Sequence, residues 1–339
     1  MKRRSQTDLA RALRAFFAEH MPLTRGLSPN TVRSYRDAFT LLLRYLAARH
    51  CCAVVHLDLA QLTPADVIAY LDHLEAKRRN GIATRNARLA AIHSFARFVA
   101  MRHPEHLEAC QRLLAVPIKR GRSRIVEYLE GNEIRAMLDS ADKTTADGRR
   151  DYALLLTLFN TGARVQEILD VRPVDLQLTR PLQVRLCGKG RKERMCPLWP
   201  QTAETLRGLL AESSLRERAS ERLFRNHRGE PLTRFGVHYL VRKYSKLAHA
   251  RAPSLADKRV HPHVIRHSAA VHLLQAGVDL VSISHWLGHA SVETTNRYAT
   301  VDLETKRAAI ARADSLFANA RKLRTWRADQ SVLDWLEAL

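Results

Sequence analysis

The sequence predicts a mainly α-helical chain with one small antiparallel β-sheet, divided into two domains. Three observations carry this. Apolar residues recur at helical spacing behind Ser, Thr and Asn cap signals through most of the chain. One pair of alternating runs, from Gln183 to Cys187 and from Glu193 to Leu198, surrounds the turn Gly188-Lys189-Gly190-Arg191-Lys192, which reads as a β-hairpin. The helical pattern breaks between His103 and Arg124, where Pro104, Pro117 and the basic stretch Lys119-Arg120-Gly121-Arg122 read as an interdomain linker. The expected plan is a helical domain over 1–103, a linker over 104–124, an α+β domain over 125–312 and a C-terminal extension over 313–339. A chain of 339 residues is long enough for each domain to bury its own core.

In the first domain, Thr7 caps a helix carrying Leu9, Leu13, Phe16 and Phe17. Ser28 caps the next, with Pro29 in its first turn and Val32, Tyr35, Phe39, Leu42, Leu43 and Leu46 on its apolar face. Thr63-Pro64-Ala65-Asp66 repeats the device for a helix bearing Val67, Leu71 and Leu74. That helix ends in Lys77, Arg78 and Arg79 before Asn80-Gly81, cations that suit a helix C-terminus. Residues Thr84 to Met101 form a fourth, with Leu89, Ile92, Phe95, Phe98 and Val99 inward and Arg85, Arg88 and Arg97 off the stripe. Those arginines read as a phosphate-tracking face.

In the second domain Asn132 is the expected cap of a helix through Leu138, and the almost wholly apolar run Tyr152 to Phe159 is the expected central helix. Thr161-Gly162 stops it, and a new helix begins by Arg164. After the hairpin, helices return from Thr202 onward.

Lys plus Arg number 56 against 34 Asp plus Glu, a formal charge of +22 spread along the whole chain. A folded protein this basic needs an anionic partner. No apolar run is long enough to span a bilayer and no signal-peptide core is present, so nucleic acid is favoured over membrane. The five cysteines, Cys51, Cys52, Cys110, Cys187 and Cys196, are odd in number and match no zinc spacing. They read as reduced thiols in a cytosol. Cys187 and Cys196 are expected to approach each other across the hairpin.

Four segments carry chemistry together: Thr161-Gly162-Ala163-Arg164-Val165-Gln166-Glu167, Gly188-Lys189-Gly190-Arg191-Lys192-Glu193-Arg194, His261-Pro262-His263-Val264-Ile265-Arg266-His267, and Trp286-Leu287-Gly288-His289 with Tyr298 nine residues beyond. Each alone is weak. Their order (Arg, a hairpin Lys, His-x-x-Arg, Gly-His, Tyr) resembles the tyrosine recombinase, or phage integrase, family, from about Leu9 to Tyr298. The first domain, with its Ser28-Pro29-Asn30-Thr31-Val32-Arg33-Ser34-Tyr35 opening, is similar to that family's core-binding domain. The resemblance implies that Arg164 and Arg266 clamp a phosphate, that Lys189, His263 and His289 complete the set, that Tyr298 is the nucleophile, and that Glu167 is an accessory acid. Ser268-Ala269-Ala270 departs from the bulkier stretch usual in the family, a matter of packing.

The residue chemistry agrees. Transferring a phosphodiester to a protein nucleophile builds negative charge on the non-bridging oxygens, and preorganised donors stabilise it. Arginine's planar fork grips two oxygens and stays charged. Arg164 is expected in the first turn of its helix, where free backbone N–H groups also favour an anion. His263 and Arg266, three apart, share a helix face. His289 and Tyr298 would face opposite ways on one helix, being about two and a half turns apart. Gly288 breaks the chain and Ser291 can cap a new helix. By resemblance Lys189 protonates the departing 5′ oxygen, and a histidine, His263, takes the phenol proton. The covalent link conserves the energy of the broken bond, so a second strand's hydroxyl reverses the step without ATP.

The resemblance implies a 3′-phosphotyrosine recombinase on double-stranded DNA with a specific site, working as a homo-tetramer or with a related recombinase, in the cytoplasm at the nucleoid, for a mobile element. No cofactor and no metal are expected. Arg78, Arg79, Arg85, Arg88, Lys119, Arg120, Arg191 and Lys192 are the candidate DNA-backbone contacts, with Arg194 grouped among the hairpin cations. Leu316, Phe317, Leu323, Trp326, Val332, Trp335, Leu336 and Leu339 suggest a terminal helix that docks on a neighbouring subunit. Competing readings are a metal-dependent tyrosine nicking endonuclease using His261-Pro262-His263, a catalytically idle architectural DNA-binding protein, and a type IB topoisomerase.

Overall fold

The computed structural model describes residues 7–121, 126–188, 192–212 and 220–288, with Thr295 and Tyr298. The C-terminal segment beyond Tyr298, Lys189, Arg191, Ser291 and His289 lie outside the described residues. The chain forms two compact units, Met1–Ser123 and Arg124–Leu339.

In the first unit, α1 (Asp8–Ala15) runs into a π-helical turn over Phe16–Thr24. It is followed by α2 (Pro29–Arg49), α3 (Pro64–Ala76), α4 (Ile82–Arg102) and α5 (Leu107–Leu114). The caps are the expected ones: Thr7, Ser28 and Thr63 side chains accept from the amides of Ala10, Thr31 and Asp66. Phe16, Phe39, Phe95 and Phe98 meet at the centre, with ring centroids 5.1 Å apart for Phe39–Phe95 and 5.4 Å for Phe16–Phe95. Edge-to-face aromatic contacts of this kind add to the burial of each ring.

Two expectations need correction here. The stretch read as linker is folded through Val116: α5 packs on α4 and places Cys110, Leu113 and Val116 in the first unit's core. Prolines on both sides hid a short amphipathic helix. Arg85 does not lie on an outer face; it is only 6% exposed, with Nη1 donating to Asn86.

In the second unit, α6 (Gly131–Asp139) precedes the central α7 (Ala146–Thr161) and the short α8 (Val165–Leu169). Glu130 caps α6, closing a box with Glu133, so the cap lies two residues before the expected Asn132. Strands β1 (Leu176–Gln177), β2 (Gln183–Cys187) and β3 (Glu193–Pro197) form an antiparallel sheet in that order. Val184, Leu186 and Cys196 face the core; Arg185, Cys187 and Met195 face outward. The register pairs Cys187 with Glu193 and Cys196 with Val184, so the two cysteines sit at opposite ends of the ladder rather than across from each other. Helices α9 (Pro200–Glu212), α10 (Arg234–Leu247), α11 (Pro262–Gln275) and α12 (Leu280–Leu287) follow. No described helix is long and apolar enough to cross a membrane.

Helix α11 packs on α7, and the small residues Ser268-Ala269-Ala270 permit the close approach. Ser268 Oγ accepts from the Leu129 amide at 2.8 Å and donates to Val264 O, tying the unit's first strand of chain to α11.

Candidate active site

The site is organised by the C-terminal end of α12. The last carbonyls of a helix have no intrahelical partner, and the helix dipole makes that end negative. Three successive carbonyls there each accept from a different arginine. Arg194 Nε donates to Trp286 O at 2.8 Å, Arg266 Nη2 to Leu287 O at 2.7 Å, and Arg164 Nη2 to Gly288 O at 3.1 Å. Gly288 closes the helix in the left-handed conformation at φ 64°, and a Cβ there would lie 2.9 Å from Arg194 Nη1. Both the turn and its packing therefore require glycine.

The arginines reach this point from three elements. Arg164 follows the left-handed Gly162 that ends α7. Arg266 projects from α11 and also donates to Gly162 O at 2.5 Å. A Cβ on Gly162 would lie 2.5 Å from Leu287 Cδ2 and 3.4 Å from Ala269 Cβ, so α7, α11 and α12 meet at this glycine. Arg194 comes from β3.

Glu167 holds two of the three. Its Oε1 accepts from Arg164 Nη1 at 2.6 Å, and its Oε2 accepts from Arg194 Nη2 at 2.8 Å and from the Arg164 amide at 2.9 Å. Burial alone would raise its pKa. The Arg194 guanidinium, then the amide and guanidinium of Arg164, outweigh that and hold the carboxyl below its usual range. The Arg164 amide is thus already used, and Arg164 is the N-cap of a five-residue helix rather than part of its first turn, the position expected from the sequence. The cluster gathers three guanidinium groups and one carboxylate, a net of two positive charges. Burial, with the neighbouring Arg164 charge next, lowers the pKa of Arg266 to about 10. A site built this way favours an anion, which lowers the repulsion.

His263, one turn before Arg266, keeps an exposed face. Its pKa lies below the ordinary imidazole value, first through desolvation, then through His261, Arg266, His238 and Arg164. A neutral imidazole results, able to accept a proton. Tyr298 is 0% exposed, packed with Ala270, Val271, Leu274, Ile283 and Leu287. Its Oη lies 2.8 Å from His267 Nδ1. The imidazole hydrogen-bonded to the Tyr298 phenol is thus that of His267.

Of the expected backbone contacts, Arg78, Arg79, Arg120 and Lys192 are exposed, whereas Arg88 is half-buried against Tyr70. Lys119 is exposed and pairs with Glu75 at 2.7 Å. Arg194 is no surface cation: its side chain is 12% exposed and turned into the site.

Sequence reasoning missed His267 and the inward role of Arg194. It also missed Phe235 and Tyr239, 88% and 67% exposed on α10. Their spacing of one turn beside Arg234, His238 and Arg242 was the available signal. Among the described residues no group of His, Cys, Asp and Glu has metal-site geometry.

The chain matches the phage integrase family over residues 127–305 and the phage integrase N-terminal SAM-like domain over residues 15–103. It is 39% identical over 332 residues to the integrase/recombinase y4rC of Sinorhizobium fredii, covering 98% of both chains. It is 34% identical over 311 residues to the tyrosine recombinase XerC of Myxococcus xanthus, covering 88% of this chain and 95% of that one. Its fold matches that of the XerH recombinase bound to palindromic difH in a post-cleavage complex, with a TM-score of 0.66 at 20% identity over 85% of this chain and 81% of the other. The arginine cluster, the buried tyrosine and these relationships have one reading: the chain belongs to the phage integrase family of tyrosine recombinases, enzymes that break and rejoin DNA.

Proposed function

We propose that this recombinase acts at a specific site on double-stranded DNA through a 3′-phosphotyrosine formed by Tyr298, in a tetramer of this chain or with a related recombinase, and that it moves a mobile element. Its place of action is the cytoplasm, at the nucleoid. The observation that carries the reading is the convergence of Arg164 and Arg266 on the adjacent carbonyls of Gly288 and Leu287. Two guanidinium groups fixed that close to each other can grip one phosphate from two sides.

In the proposed step the Tyr298 Oη–phosphorus bond forms as the bond from phosphorus to the 5′ oxygen breaks. Arg164 and Arg266 stabilise the charge on the non-bridging oxygens. Lys189 gives a proton to the departing 5′ oxygen, His289 adds a donor to the phosphate, and neutral His263 serves as proton acceptor beside it. Attack requires the phenol to leave its apolar cover and its bond to His267. Arg78, Arg79, Arg120, Arg191 and Lys192 hold the DNA backbone, and the exposed Phe235 and Tyr239 offer apolar contact to the duplex. The C-terminal segment docks on a neighbouring subunit.

The test is a nicked DNA substrate that traps the covalent intermediate. Wild-type protein is expected to form a protein–DNA adduct with chelator present, mapped by peptide sequencing to Tyr298, and Tyr298→Phe is expected to form none. An adduct that persists in Tyr298→Phe would end the reading.

A further inference from the structure

We propose that Arg194 is a positioning residue for leaving-group protonation: it locks the hairpin that carries Lys189 onto the turn that precedes His289. The inference rests on the reading that Lys189 protonates the departing oxygen.

The geometry points to Arg194 because its side chain joins three elements. Its backbone lies in β3, paired with the fully buried Leu186 of β2, so the base of the hairpin is fixed in the core. Its Nε reaches Trp286 O at 2.8 Å and its Nη2 reaches Glu167 Oε2 at 2.8 Å. The same guanidinium lies against Gly288, where a Cβ would come within 3.2 Å of Arg194 Cζ. One planar fork therefore ties the hairpin to the acid that holds Arg164 and to the turn before His289.

The mouth of the hairpin sits on the same carboxylate. Gly188 N–H donates to Lys192 O at 2.8 Å, closing the loop on either side of residues 189–191. A Cβ on Gly188 would be 3.2 Å from Glu167 Oε1 and 3.9 Å from Arg164 Nη1. The hairpin thus leaves the sheet directly over the Arg164–Glu167 pair, and Arg194 sets that exit. Proton delivery demands placement within hydrogen-bond reach of the 5′ oxygen. A residue that anchors the β3 side of the hairpin base to the carboxylate beneath its mouth supplies that placement without touching the phosphate.

Chemistry separates this role from a merely structural one. In the ordinary step the phosphorus–oxygen bond breaks and the 5′ oxygen takes a proton from the Lys189 ammonium, leaving a neutral amine. When a sulfur replaces the bridging 5′ oxygen, the phosphorus–sulfur bond breaks and a thiolate departs unprotonated, because a thiol is far more acidic than an alcohol. Loss of acid catalysis then costs little.

Single-turnover adduct formation is measured on nicked substrates with a bridging 5′ oxygen or 5′ sulfur, for wild type, Lys189→Ala, Arg194→Ala and Arg194→Lys, alongside DNA affinity. Removal of a general acid costs about 10²–10⁴-fold, so Lys189→Ala is expected to lose that on oxygen and less than about 10-fold on sulfur. Arg194→Ala is expected to follow it, losing about 10²-fold on oxygen and recovering on sulfur, with DNA affinity within about threefold of wild type. Arg194→Lys keeps the charge and folds if Arg194→Ala does not. It loses the two-point grip and is expected to show the same recovery from a loss of about 10-fold. If the Arg194 variant that folds is slowed equally on both substrates while Lys189→Ala recovers, the inference is overturned and the acid stands. If Lys189→Ala fails to recover, the acid reading falls and the inference with it.

Discussion

The two units use arginine in opposite ways. In the second unit Arg164, Arg194 and Arg266 each end on a named carbonyl at the C-terminal end of α12 or its capping glycine, and Glu167 binds two of them, so three cations are held at one point at the cost of mutual repulsion. In the first unit Arg78 and Arg79 follow the end of α3 with their side chains in water, and Lys119 rests on Glu75. The first pattern is preorganisation, which lowers a barrier; the second is a spread of screened charge, which raises affinity for a polyanion. The difference predicts that substitutions in the two units fall on different measurable quantities.

The largest effects belong to the cluster. Arg164→Lys and Arg266→Lys keep the charge and lose the fork, and each is expected to slow adduct formation by about 10²–10³-fold, with DNA affinity nearly unchanged. A loss confined to affinity would put these arginines in the same class as Arg78 and dissolve the contrast.

Glu167→Gln comes next. Removing the carboxylate leaves two guanidinium groups without their shared anion, and the second unit is expected to lose about 2–3 kcal/mol in chemical denaturation. The pH dependence sharpens the point. The folded pKa of Glu167 lies below its unfolded value, so its contribution is complete above the unfolded value near 4.5 and disappears as pH falls through the depressed one. Wild type is expected to destabilise across that acid range more steeply than Glu167→Gln; parallel curves would show that the carboxylate is not what holds the cluster.

His267→Ala tests the cover of the proposed nucleophile. The phenol of Tyr298 loses the imidazole at 2.8 Å while remaining buried, which is expected to cost about 1–2 kcal/mol of stability. Adduct formation is expected to fall far less than for Arg266→Lys. A rate loss matching Tyr298→Phe would move His267 into the proton transfer itself.

The family was readable from the sequence because its signature is a chain of short local patterns, and so were the caps at Thr7, Ser28 and Thr63, whose hydrogen bonds reach only three residues. What the sequence withheld is long-range. Arg194 meets Trp286 across 92 positions and His267 meets Tyr298 across 31, and no periodicity encodes either contact. Strand β1 has two residues and exists only through its pairing with β2. Helix α5 was masked by Pro104 and Pro117, although Leu107, Cys110, Leu113 and Leu114 have helical spacing. The Cys187–Cys196 expectation failed because a hairpin register is set by the turn, and this one places Glu193 opposite Cys187.

The smallest effect, and the one that separates the two uses of arginine most cleanly, lies within the first unit. Arg78 and Arg85 are seven residues apart and were equal candidates for phosphate contact, yet Arg78 is exposed and Arg85 is buried with its Nη1 on Asn86. A phosphate contact releases about one counterion, so Arg78→Ala is expected to weaken DNA binding uniformly across sequences and to reduce the slope of log affinity against log salt by about one. Arg85→Met removes a buried charge but keeps the apolar stem, so it is expected to leave the salt slope unchanged and to alter stability instead. Binding isotherms across a salt series read both. If Arg85→Met reduces the slope as Arg78→Ala does, the buried guanidinium reaches a phosphate after all, and the first unit also grips DNA with preorganised arginine.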